Sequence, residues 1–228
     1  MMQSVKVLVQ VGFIAGLLGA GVALAADPAP AAANAAAIDA SGPSQLIESS
    51  ANVLLSGINA RRAEFHKDPT GLYQLVETTL LPNFDTPYAA QLVLGPNWRN
   101  ATPEQRKRFV DAFYKSLLYT YGDAMVDFTA DRLKVLPANV GPADTKATVR
   151  TEITRSNGTK VSVNYTMHKV NGAWKAWDVV IDGISYVKSY RDDYGAQVQQ
   201  QGLEAVIKQL EARAASAKAN KDLKSKTT

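Results

Sequence analysis

The chain has no cysteine in 228 residues and only two histidines. Without cysteine there is no thiol nucleophile, no zinc finger, no iron–sulfur ligation and no disulfide-stapled miniprotein. Charged residues are also sparse, at 20% against roughly 25% in ordinary soluble domains. Chemical motifs are missing as well: there is no HExxH, no Walker loop and no glycine-rich dinucleotide turn. Gly183-Ile184-Ser185 lacks the closing glycine of a nucleophile elbow. Asp192 and Asp193 are helix neighbours pointing about 100° apart, which makes them a poor proton-sharing pair. His66 sits at a helix end beside Lys67, and His168 falls on the polar side of an alternating run, where exposure is expected. What remains is ordinary apolar content, 46% of the chain, enough for one domain with an ample core.

The N-terminus reads as an export signal, with a Gly/Ala-rich, weakly hydrophobic membrane anchor as the alternative. Lys6 is the only charge before Asp27, Val7–Leu24 is apolar apart from Gln10, and the run closes on the small-x-small pattern Ala23-Leu24-Ala25. Cleavage after Ala25 leaves a chain for an oxidising compartment, where lack of cysteine avoids misoxidation. Losing Lys6 takes the 25 basic residues to 24 against 21 acidic ones. Arg213, Lys218, Lys221, Lys224 and Lys226, set against Glu211 and Asp222, supply all of that excess at the C-terminus. The body is neutral, so the high pI gives no support to nucleic-acid binding. The expected organisation is a signal peptide over 1–25, a flexible Ala/Pro-rich leader over 26–43, one domain over 44–213 and a basic, frayed tail over 214–228.

Within the domain the hydrophobic spacing is first helical. Ile47, Ala51, Leu54, Leu55, Ile58 and Phe65 recur near a 3.6-residue period, and shorter helices follow Asp68-Pro69 and Asp85-Thr86-Pro87. Thr102-Pro103-Glu104-Gln105 is a capping box with proline at the first helical position. It opens a helix whose Phe109, Val110, Phe113, Tyr114, Leu117, Leu118 and Tyr121 cover about half its circumference. The period then changes to two. Ala147, Val149, Thr151 and Ile153 alternate with polar residues; so do Val161, Val163, Tyr165 and Met167, and Trp177, Val179 and Ile181. Asn157-Gly158 and Asn171-Gly172 separate these runs as hairpin turns, and 133–140 reads as an edge strand. Helix returns after Asp182-Gly183, with Asp178 and Asp182 placed to cap or bridge. The predicted class is α+β, an antiparallel meander with helices packed on one face.

Two segments carry a family likeness. Leu92–Arg106 resembles the signature LVLG-x-x-W-R-x-A-T-x-E-Q, and Trp177–Ser185 followed by Ser189-Tyr190-Arg191 resembles W-D-V-x-I-x-G-x-S…Y-R. Both belong to the MlaC, or toluene-tolerance auxiliary, family of periplasmic phospholipid carriers, and the likeness spans about 44–213. The resemblance implies a nuclear-transport-factor-like cone with extra helices and phospholipid as cargo rather than any cofactor. It also implies lipid exchange with an outer-membrane lipoprotein–porin complex and an inner-membrane ABC transporter bearing MCE domains. A periplasmic monomer without enzymatic activity or metal is the corresponding expectation.

Periodicity names the residues that would face such a cargo. The sheet offers Val149, Ile153, Val163, Tyr165, Trp177, Val179 and Ile181; the aromatic helix offers Phe113, Leu117 and Tyr121. Two other functions compete. An enzyme on the same fold would need an acid–base pair inside the pocket, and Tyr165 with Asp178 fall on opposite faces. A scaffold would have the cavity closed by side chains.

Overall fold

The fold is seen in a computed structural model that describes residues 38–126, 133–154 and 158–226, with side chains given as far as Ser216. The signal segment, most of the leader and Asn157 lie outside the described residues.

Helix formation follows local chemistry. Helix α1 (Pro43–Lys67) starts on proline, whose missing N–H costs nothing in a first turn. Helix α2 (Thr70–Thr79) ends before a short 3-10 turn at Leu81–Asn83 that contains Pro82. The Asp85 carboxylate then accepts from the Tyr88 N–H at 3.1 Å and caps α3 (Thr86–Leu94). After a single turn, α4 (Asn97–Asn100), the capping box forms in both directions. The Gln105 N–H donates to Thr102 Oγ1 and the Thr102 N–H to Gln105 Oε1, each at 3.1 Å. These two bonds satisfy donors that would otherwise be orphaned at the start of α5 (Pro103–Tyr121).

A five-stranded antiparallel meander follows: β1 (Leu133–Val135), β2 (Lys146–Thr154), β3 (Lys160–Val170), β4 (Ala173–Ile181) and β5 (Ile184–Ser185), each pairing with the next. The β1 strand is shorter than the alternating run suggests, although the Leu136 N–H still reaches Arg150 O. Asn171 and Gly172 take φ of 51° and 82°, as a two-residue hairpin turn requires. Asp182 and Gly183 repeat this geometry at 47° and 83°. Their turn inserts β5 where the sequence pattern runs directly into helix. Helix α6 (Tyr186–Gln201) then begins, and Gly202 at φ 82° separates it from α7 (Leu203–Lys226). The α7 backbone stays helical well past Arg213, where a frayed tail was expected, and Ala214 is buried.

Three packed clusters hold these elements together. Phe109, Phe113, Val93, Tyr194, Ile207 and Leu210 join α3, α5, α6 and α7. Between α5 and α7, Arg108 reaches Glu204 and Glu211 at 2.8 Å each. Leu46 and Ile47 of α1 meet Val149, Met167, Trp174 and Ala176 of the sheet. Leu54, Ile58, Phe65, Leu72 and Val76 join α1 to α2. Among the described residues, no helix is long and apolar enough to cross a membrane.

Candidate functional site

The register sets the composition of the inner sheet face. Val149 lies opposite Tyr165, which lies opposite Val179; Thr151, Val163 and Ile181 form the next row, and Ile153 pairs with Val161. Side chains two residues apart share a face, so all eight project to one side. The face divides in two. At the end carrying Val149, Met167 and Trp174 it is sealed by α1. Toward the β2–β3 hairpin the surroundings change. Val161 and Val163 are buried, and Ile153, Val179 and Ile181 half-buried, yet none of these five belongs to a packed cluster among the described residues.

Tyr165 marks the boundary between the two halves. It sits deep enough that burial pushes its phenol up from the ordinary value, yet it retains accessible surface. The Thr151 hydroxyl donates to the Val163 carbonyl at 2.6 Å, so this polar group adds no free donor to the face.

The helical side divides the expected residues differently. Phe113 is buried in the helical cluster, stacked on Phe109 at 5.7 Å and edge-on to Tyr190 at 5.1 Å, so it is helix–helix core. Leu117 is half-buried against the same cluster. Tyr121 is hydrogen-bonded to Tyr190, whose phenol is raised first by burial and then by that bond. Tyr186 lies 6.1 Å from Tyr190, ring to ring. The main neighbours of α5 are α7, α3 and the turn after it, not the strands. The half-buried phenols of Tyr186 and Tyr190 were not singled out by periodicity for this site; their i,i+4 spacing on α6 was the available signal.

Two expectations are corrected. The β3–β4 register shifts at Thr166/Met167, placing a bulge at Trp177. Beyond the bulge the faces exchange: Trp174 and Ala176 point inward, while Trp177 packs on Tyr88 at 5.7 Å beside the outer-face residue His168. Trp177 is therefore not on the inner face with Val179 and Ile181. His168 is not exposed either. Its Nε2 lies 2.8 Å from Asp85 Oδ2, its ring 4.8 Å from that of Tyr88, and its side chain is 19% accessible.

The expected capping role of Asp178 is specific. Buried on the face opposite Tyr165, it accepts from Ser185 Oγ at 2.6 Å and from the Val187 N–H at 3.0 Å, clamping the start of α6 to β4. Asp182 Oδ1 accepts from the Ser162 N–H and ties the β4–β5 turn to β3. No acid–base pair converges on the inner face, and no group of three or more metal-ligating side chains occurs among the described residues. Chemically, the inner face can hold apolar material and little else.

The family profile described as "MlaC protein" matches residues 48–212. The chain belongs to the MlaC family. Relatives of this MlaC chain include "Toluene tolerance protein ttg2D" of Pseudomonas putida, 28% identical over 72% of this chain and 77% of the relative. The "Intermembrane phospholipid transport system binding protein MlaC" of Haemophilus influenzae is 25% identical over 78% and 85% of the two chains. A solved phospholipid-binding protein from Ralstonia solanacearum, in complex with a phospholipid, shares the fold. Its TM-score is 0.69 at 24% identity, over 75% of this chain and 96% of that one. In this MlaC chain the W-D-V-x-I-x-G-x-S segment is the clamp just described, with Asp178 and Ser185 its two polar ends.

Proposed function

We propose that this MlaC chain is a non-enzymatic phospholipid carrier of the periplasm. The observation that carries the reading is the hairpin half of the inner sheet face. There Val161 and Val163 are buried and Val179 and Ile181 half-buried without entering a packed cluster among the described residues, and Tyr165 is deep yet accessible. An acyl chain laid on that face leaves water at roughly 0.8 kcal/mol per methylene, so about 16 carbons supply on the order of 10 kcal/mol. That holds a lipid across an aqueous gap with no cofactor. The lipid-bound relative and the phospholipid-transport name of another support the same cargo.

Tight apolar holding implies that release needs a partner that reshapes the face or offers a better one. The partners are an outer-membrane lipoprotein–porin complex and an inner-membrane transporter with MCE domains, between which the carrier maintains lipid asymmetry. Export follows removal of residues 1–25. The sheet-side contacts are Ile153, Val163, Tyr165, Val179 and Ile181, with Leu117 and Tyr121 opposite; Val149 and Phe113 support them from the packed clusters.

The test is native mass spectrometry of the protein recovered from the periplasm. The expected result is a mature chain lacking 25 residues, carrying phospholipid that organic extraction releases. A lipid-free chain with no uptake from phospholipid micelles would overturn the carrier reading.

A further inference from the structure

A concavity lies on the other side of the sheet. It is a cleft of about 470 Å³ on the outer side of β2, β3 and β4, within the range of roughly 300–1,000 Å³ common for small-molecule sites. Its floor is set by register. Lys146 pairs with His168 and Thr148 with Thr166, so four side chains form a two-by-two patch on one face. Its wall is aromatic: Tyr88 leans on His168 and meets Trp177 edge-on, and all three rings keep accessible surface. The bulge at Trp177 is what brings the indole here.

Two carboxylates border the cleft and both are engaged: Asp85 by His168 Nε2 and the Tyr88 N–H, and Asp178, opposite Thr166 on β4, by the Ser185 hydroxyl and the Val187 N–H. The Lys146 ammonium has no carboxylate partner among the described residues, and Thr148 and Thr166 lie on the same face of the sheet. Lys175, opposite His168 on β4, adds a second cation nearby, turned to the Pro82 carbonyl. Donors beside partly accessible aromatic rings suit an anion joined to a flat or apolar body.

We propose that this cleft is a second ligand site, taking a small organic phosphate or carboxylate with an aromatic or short apolar body. Lys146, Thr148 and Thr166 hold the anion while Trp177 and Tyr88 pack on the body. This goes beyond the carrier reading and does not depend on it, because the two sites lie on opposite faces of the sheet.

The experiment titrates phenylphosphate into lipid-loaded protein and follows backbone amide and indole N–H resonances, with benzyl alcohol as the uncharged control. Saturable shifts are expected at Lys146–Thr148, at Thr166–His168 and at the Trp177 indole, with little response to benzyl alcohol. Lys146→Ala, at an exposed position, should weaken phenylphosphate by about fivefold, the upper range for an exposed charge pair, and leave bound lipid unchanged. Thr166→Val should weaken it as well. Non-saturating shifts, equal binding to K146A, or shifts centred on Val163 and Ile181 with lipid released would each overturn the proposal. The last outcome would leave the carrier reading intact, and lipid-free protein with normal cleft shifts would overturn only the carrier.

Discussion

Val149 and Val163 are the same residue type on the same sheet face, and the structure gives them different fates under one substitution. Val149 is 0% accessible and packed against Leu46, Ile47 and Met167; Val163 is 6% accessible and outside every packed cluster among the described residues. Tryptophan at position 149 must displace neighbours in a filled core, at about 1–3 kcal/mol. For a domain of this size that is a fall in Tm of about 2–12 °C. Tryptophan at 163 has cargo volume to enter, so the delipidated protein should melt within about 2 °C of wild type. The indole then excludes three or four methylenes of bound acyl chain, roughly 3 kcal/mol, or a lipid affinity lower by about a hundredfold. Lipid contributes to Tm by mass action, so melting is compared on delipidated protein while lipid per protein is measured separately after reloading. Equal loss of Tm in V149W and V163W, with lipid uptake by V163W unchanged, would refute the argument that the hairpin half of the sheet is unfilled.

Asp178→Ala should destabilise by about 1–3 kcal/mol, because it strands the Ser185 hydroxyl and the Val187 N–H at the start of α6. Urea unfolding should show a lower midpoint at unchanged slope, with Asp178→Asn losing less; a midpoint equal to wild type would deny the clamp. Alkaline titration should separate the nine tyrosines. Burial raises Tyr165, Tyr114 and Tyr190 and pushes Tyr194 up to about 12, against roughly 10 in an unfolded chain. The neutral phenols favour the folded state, so their contribution is fully present below about pH 10 and is lost as pH climbs toward 12. Tyrosinate absorbance followed together with circular dichroism tests this; full ionisation near pH 10 with the fold intact would refute it.

Features encoded by neighbours in the chain were legible in the sequence. The capping box at Thr102 and Gln105 and the turn at Asn171-Gly172 each need only a few adjacent residues, and both formed as expected. The alternation in β2 and β3 likewise placed Val149, Ile153, Val163 and Tyr165 on one face. The bulge was not legible. Trp174 and Trp177 are three residues apart, and period two cannot choose between them without knowing how β3 pairs. Nor was the partner of His168, since Asp85 lies 83 residues away and its visible signal was only that of a helix cap. Core and cavity wall use the same side chains, so spacing did not express that Phe113 is helix–helix core with Leu117 packed on the same cluster.

The lengths of the outermost strands have a consequence for behaviour at high concentration. A strand at the margin of a sheet offers unpaired N–H and C=O groups to any passing chain, and long flat margins seed intermolecular sheet growth. Here one margin is the three-residue β1 and the other the two-residue β5. The nine-residue β4 would otherwise be open along its length. Val180 and Ile181 are paired with β5, and Phe84 bridges Ala176 while the Asp85 N–H donates to the Ala176 carbonyl. Among the described residues the meander thus ends at both sides in stubs too short to template another copy. Emptying the inner face of cargo should leave this molecule sticky through its side chains but not through its backbone.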